Sequence, residues 1–166
     1  MTCRVWLAAV AALLFTGLAA PARATQGERE ASLTALLGAP VGESLGADAQ
    51  LLFHATDFWA FGATARGRWR VVDGSSASAL IAARYTIDAL TWVPSVSLSG
   101  GMQLAPQQGW SPAAAVQAEL VMRAARTWGI VARVVVETNS FNPMGFRTLA
   151  GIGYVCYWGK TGATEL

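Results

Sequence analysis

Cysteine and histidine are almost missing from this chain: two of the first and one of the second in 166 residues. Cys3 falls in what reads as a cleaved leader, so Cys156 would stand alone and no intramolecular disulfide can form. One Cys and one His cannot build a Cys/His metal site, and no metal or cofactor is expected. Charge is scarce as well. Asp, Glu, Lys and Arg make up 13% of the chain, against ~25% in a typical soluble domain. There is no basic stripe, which argues against nucleic acid as a partner. Beyond the leader no apolar run reaches the ~20 residues that a helical span needs. Yet 54% of the residues are hydrophobic. A chain this apolar without a helical span can still live in a membrane if its strands close into a barrel, because closure satisfies every backbone polar group.

Residues 1–24 have the three parts of a secretory signal: Arg4 at the start, the apolar run Leu7–Ala20, and the small-x-small site Ala22-Arg23-Ala24. Cleavage there would leave about 142 residues with ten basic and ten acidic side chains, hence a net charge near zero. That length suits one domain. The expected organisation is a signal peptide over 1–24, a short N-terminal segment over 25–31, a barrel over 32–159 and a tail over 160–166.

What the chain does have is alternation. Phe61, Ala63, Ala65, Gly67 and Trp69 interleave with Gly62, Thr64, Arg66 and Arg68. Pro94, Val96, Leu98, Gly100 and Met102 interleave with Ser95, Ser97, Ser99 and Gly101. In a strand successive side chains point to opposite faces, so each stretch carries one face without charge and one polar face. Eight such segments are expected: Ser32–Val41, Gly46–Ala55, Trp59–Trp69, Ala77–Ile87, Trp92–Leu104, Pro112–Met122, Trp128–Thr138 and Phe146–Trp158. Turn chemistry separates them, as in Asp73-Gly74-Ser75-Ser76 and Asn142-Pro143. Asp48, Arg66, Arg68, Arg84, Glu119, Arg133, Glu137 and Arg147 all fall on the polar parity. The segment over 112–123 is ambiguous, since its Ala-rich run with Glu119, Leu120 and Met122 is also good helix material.

The tryptophans orient the faces. Trp59, Trp92, Trp128 and Trp158 lie on the apolar parity at one set of strand ends, and Trp69 and Trp110 at the other. Two such rows read as aromatic girdles at the two membrane interfaces. The pattern resembles the small eight-stranded outer-membrane β-barrels of Gram-negative bacteria. Arg84–Pro94 looks like their strand–turn–strand unit, and Ala150–Trp158 resembles their C-terminal assembly signal, although here Gly159–Leu166 follow the aromatic. The resemblance implies an all-β, antiparallel up-and-down transmembrane barrel with short loops, located in the outer membrane. It also implies outer-membrane lipid and the assembly machinery as partners, with a further protein partner left open. A secreted soluble barrel holding a small apolar ligand inside is the alternative, with the faces exchanged.

An eight-stranded bore is just wide enough to be filled by side chains. Arg66, Arg68, Arg84, Arg133 and Arg147 with Asp48, Glu119 and Glu137 are expected to form a structural network there, since buried charges persist only when paired. A narrow pore is the functional alternative. A lipid-modifying enzyme would need a nucleophile and a His together on the lipid-facing side, but His54 lies on the polar parity and no serine lies on the apolar parity inside the strands as bounded above. No catalytic residue is assigned. Phe141, Pro143 and Met144 form the one apolar loop tip.

Overall fold

In the computed structural model the described residues are 27–38, 44–70, 74–87, 92–106, 109–139 and 142–159. The leader over 1–24, the tail over 160–166 and the loop tip at Phe141 lie outside them, as do the side chains of Pro143 and Met144.

Eight strands account for nearly all of these residues: β1 Arg29–Gly38, β2 Ser44–His54, β3 Trp59–Arg70, β4 Gly74–Thr86, β5 Trp92–Ala105, β6 Gly109–Arg123, β7 Trp128–Asn139 and β8 Asn142–Trp158. Each pairs antiparallel with the next, and β1 pairs with β8 to close the barrel. The start of β1, the end of β8 and the turns at 55–58 and 124–127 lie at one rim, with the end of β4 and the start of β5. The opposite strand ends, such as Gly38, Ser44, Arg70 and Gly74, form the other rim. The β2–β3 turn is held by the Thr56 hydroxyl, which accepts from the Phe58 and Trp59 backbone N–H groups at 3.2 and 3.0 Å.

The parity expected from the sequence is the parity observed. Phe61 is 49% exposed on the outer wall, while its neighbour in chain order on the opposite face, Ala60, is fully buried. Arg66 and Arg133 are 3% and 1% exposed. Leu33, Ile81, Leu98, Val134 and Ile152 all face outward. An apolar outer wall around a charged interior is the reverse of a soluble ligand-binding barrel, and the structure excludes that alternative. The six tryptophans among the described residues point outward at strand ends, Trp92 half-buried and the others exposed. At the rim where β1 starts and β8 ends they join a wider aromatic cluster, with Phe58 stacked on Tyr85 and Trp59 edge-on to it.

All eight expected strands are present, and several of their ends differ: β2 begins at Ser44, β6 at Gly109 and β8 at Asn142, so Asn142-Pro143 belong to a strand rather than a turn. Residues 112–123 are strand throughout: β6 is paired over its length with β5 on one side and β7 on the other, and a closed wall overrides the helix propensity of its alanines. β1 starts at Arg29 rather than Ser32, because Arg29–Ala31 are laddered to Leu51–Phe53 and Cys156–Trp158 on both sides. That extension brings Glu30 into the lumen and puts Arg29 at the outer rim. β4 starts at Gly74, which places Ser75 on the outward face, at the rim opposite His54.

Close coiling at the β1–β8 seam has a residue-level cause. Gly151 and Gly153 project inward, and a Cβ at either would run into the Ala35 or Leu33 carbonyl across the ladder.

Candidate functional site: the filled lumen

The inward side chains form layers. Leu36, Leu80, Ala115, Val135 and Leu149 make one apolar cluster, and Val93, Val121, Val131, Val155 and Tyr157 another. On β6 the residues between them are Gln117 and Glu119, and on β7 it is Arg133. Polar groups therefore occupy the middle of the lumen with apolar packing on either side.

The charged groups run as a continuous chain of ion pairs. It starts at His54, whose Nε2 is 3.2 Å from Glu30 Oε2. Glu30 accepts from Arg84, which also reaches Glu119 at 3.2 Å. Glu119 lies 3.4 Å from Arg133, and Arg133 donates to Asp48. Asp48 accepts from Arg66 Nε at 2.9 Å. Arg66 and Arg68 share Glu137, at 3.0 and 2.8 Å. Neutral groups take up remaining donors: Gln117 accepts from Arg66, and Ser32 and Gln50 accept from Arg133. A separate pair lies near the start of β1, where Arg123 donates to Glu28 at 2.9 Å and lies 4.0 Å over the Tyr157 ring.

Counted along the chain, Arg66, Arg68, Arg84 and Arg133 meet Glu30, Asp48, Glu119 and Glu137, so the lumen core is electrically neutral. Neutrality matters because each unpaired ion taken out of water costs several kcal/mol even after relaxation. Seven of the eight residues expected from parity are in this chain. Arg147 is not. It faces the mouth from β8, half-buried, and among the described residues no carboxylate lies within ion-pair distance of it. Glu30, His54 and the amides Gln50 and Gln117 were missed. Extending the alternation of β1 two residues toward its start would have found Glu30.

Among the described residues no group of three or more His, Cys, Asp or Glu side chains could hold a metal ion. Glu119 and Glu137, the two carboxylates that could have formed a catalytic pair, are each engaged by two arginines. His54 is buried on the lumen side beside Glu30 and Arg84.

An eight-stranded closed wall with an apolar outside, aromatic rims and a polar filled inside is a transmembrane β-barrel. No protein-family model matches the chain, and no curated protein matches it in sequence. Solved structures do match in fold. The N-terminal β-barrel domain of Pseudomonas aeruginosa OprF aligns with a TM-score of 0.58 at 14% identity, covering 80% of this chain and 98% of that one. The outer-membrane protein OprG from the same organism gives 0.55 at 8%, covering 85% and 100%. A de novo designed transmembrane β-barrel gives 0.55 at 11%, covering 82% and 99%. The chain thus has the eight-stranded barrel fold of Gram-negative outer-membrane proteins. A designed barrel has it too, so the fold alone assigns no role.

Proposed function

We propose that the protein is an integral outer-membrane barrel with a closed lumen, serving as a structural or interaction component. It neither conducts solute nor catalyses a reaction. The observation that carries this reading is the neutral chain of ion pairs that runs along the lumen, its centre at Glu119 and Arg133 lying between two apolar clusters. A pathway for solute would have to break that chain, and breaking one buried pair costs about 3–5 kcal/mol. The same burial argues against lipid chemistry, since His54 has its ring nitrogen on a lumen carboxylate where a lipid substrate on the outer wall does not reach. Outer-membrane lipid and the assembly machinery are its partners in this reading, and a protein partner would dock at a rim. Two measurements test it. The native protein should fractionate with outer membranes and leave them only with detergent. Purified protein in planar bilayers should give no sustained conductance. A steady open-channel current would replace the plug with a pore.

A further inference from the structure

We propose that the outer wall, at the rim where β1 starts and β8 ends, carries a bay for an anionic phospholipid headgroup, built on Arg29, Arg126 and Trp158. The first observation is charge. Arg29 and Arg126 are the only exposed cations among the described residues, and no carboxylate among those residues lies within ion-pair distance of either. The second is placement. Arg29 alternates with lumen-facing Glu30, so its side chain leaves the outer face of β1, and it stands directly opposite Trp158 on β8. Arg126 is in the β6–β7 turn, which the Ala124 and Ala125 N–H groups close by donating to the Trp128 carbonyl. The Thr127 carbonyl accepts from the Tyr157 N–H at 2.9 Å, which fastens that turn against the end of β8. The two arginines therefore flank Trp158 from its two sides, across two strand spacings, about 10 Å of wall.

A cation on the lipid-facing wall is costly unless it stands at the interface, where water and headgroups reach it. Arg29 stands there, level with Trp158. A guanidinium presents a planar fork that matches phosphate oxygens bidentately. Two of them set on either side of one indole suit a headgroup whose net charge stays negative. A zwitterionic headgroup brings its own ammonium to the same place and gains less. The wall below the bay suits the rest of the lipid. Outward on the same strand as Trp158 come Tyr154, stacked on Trp128 at 5.7 Å between ring centroids, and Ile152, 68% exposed. Polar and apolar contacts thus follow one another along β8 in the order that headgroup and acyl chain do in a lipid. Asp57 on the β2–β3 turn is the one exposed carboxylate among the described residues and the competing counter-ion. The bay has a ligand only if outer-membrane lipid is the partner of this wall, as proposed above.

The test uses the full chain folded in phosphatidylcholine vesicles. Part of the lipid is replaced either by brominated phosphatidylglycerol or by phosphatidylcholine brominated at the same acyl positions. Excess quenching of tryptophan emission by the first gives the ratio of the two association constants at the bay. Wild type should favour phosphatidylglycerol by about fivefold for each arginine, the worth of one basic side chain at an anionic membrane surface. Arg29→Gln and Arg126→Gln should each lose about fivefold of that ratio, and the double variant should show no preference. Trp158→Phe should remove most of the excess quenching, because that indole lies between the two cations. Both arginines lie outside the lumen ion-pair chain, so every variant should keep the gel mobility of the folded barrel. A preference that survives in the double variant would overturn the proposal. So would an equal loss in Arg147→Gln, which takes one charge from the opposite rim, since the effect would then belong to total charge. Absence of preference in wild type with its appearance in Asp57→Asn would make Asp57 the resident counter-ion and overturn it too. A barrel that inserts into phosphatidylcholine but never prefers phosphatidylglycerol refutes the bay alone, whereas a chain that enters no vesicle refutes the membrane reading beneath it.

Discussion

Asp48 is the carboxylate whose loss should be felt most. Its side chain is completely buried, and among the described residues it is the carboxylate that joins the two halves of the ion-pair chain, meeting Arg66 on one oxygen and Arg133 on the other, with neutral Gln117 bridging beside it. Asp48→Ala leaves two guanidiniums short of a partner and the lumen core with one excess positive charge. Arg66 would retain Glu137 and Gln117, and Arg133 would retain Ser32, Gln50 and Glu119. Those residual contacts place the expected loss toward the lower end of the ~3–5 kcal/mol that a broken buried pair costs. Against a typical unfolding free energy of ~5–15 kcal/mol, that is a large fraction. Asp48→Asn keeps an acceptor oxygen and should fall between the two. The double change Asp48→Leu with Arg66→Met removes charge from both sides. It leaves the pairs Arg133–Glu119, Arg84–Glu30 and Arg68–Glu137, and so a neutral lumen. It should recover stability relative to Asp48→Ala, with a coupling of ~0.5–3 kcal/mol between the two sites. Urea unfolding in phosphatidylcholine vesicles, followed by tryptophan fluorescence and by the gel-mobility difference between folded and unfolded barrel, measures each. A loss under ~1 kcal/mol for Asp48→Ala, or a strictly additive double variant, would refute the argument that pairing holds this interior.

Arginine scanning of the outer wall should show depth dependence: Val134→Arg and Leu98→Arg, mid-strand, should cost ~2–4 kcal/mol, and Leu45→Arg at the rim ~0–1; equal losses in the same urea assay would contradict the membrane placement. Ser97→Arg is no benign control, although its parity points to the lumen. Ser97 is buried directly opposite Arg84, so a second guanidinium there meets like charge and should also lower the yield of folded barrel. Gly151→Val should block closure of the β1–β8 seam, read as loss of the folded gel band, because its Cβ meets the Ala35 carbonyl; normal folding would show that the seam is looser than described. Lipids brominated near the headgroup should quench the tryptophan emission more than lipids brominated near the chain ends, since all six rings lie at strand ends.

The fold was legible because a membrane barrel writes its geometry into parity. Each strand must keep charge off one face over its whole length, so a single misplaced Arg or Glu would have betrayed a wrong register. Parity left residues 112–123 ambiguous, since Ala113, Ala114 and Ala115 also suit a helix, and it is the pairing with β5 and β7 in the closed wall that makes β6 a strand. Strand ends were less legible. At the rims the outer face tolerates charge, as at Arg29, and the alternation that defines a strand no longer penalises an error of two or three residues.

That loss of precision at the ends is why the lumen network was read incompletely. Parity alone gave five arginines against three carboxylates, an interior with two uncompensated charges. Such an interior is physically costly, since the energy of a buried ion depends on its having a counter-ion. Electroneutrality therefore required either another acid on the inner face or fewer arginines within it. The structure supplies both: Glu30 enters from the extended start of β1, and Arg147 sits out at the mouth. Pairing partners such as Glu30 with Arg84, 54 residues apart, come from strands on different parts of the wall, and no local pattern encodes which side chains meet across a closed bore. Charge balance does constrain the set. The same count that completes the core with Glu30 leaves Arg147 outside it, half-buried on β8 toward the mouth.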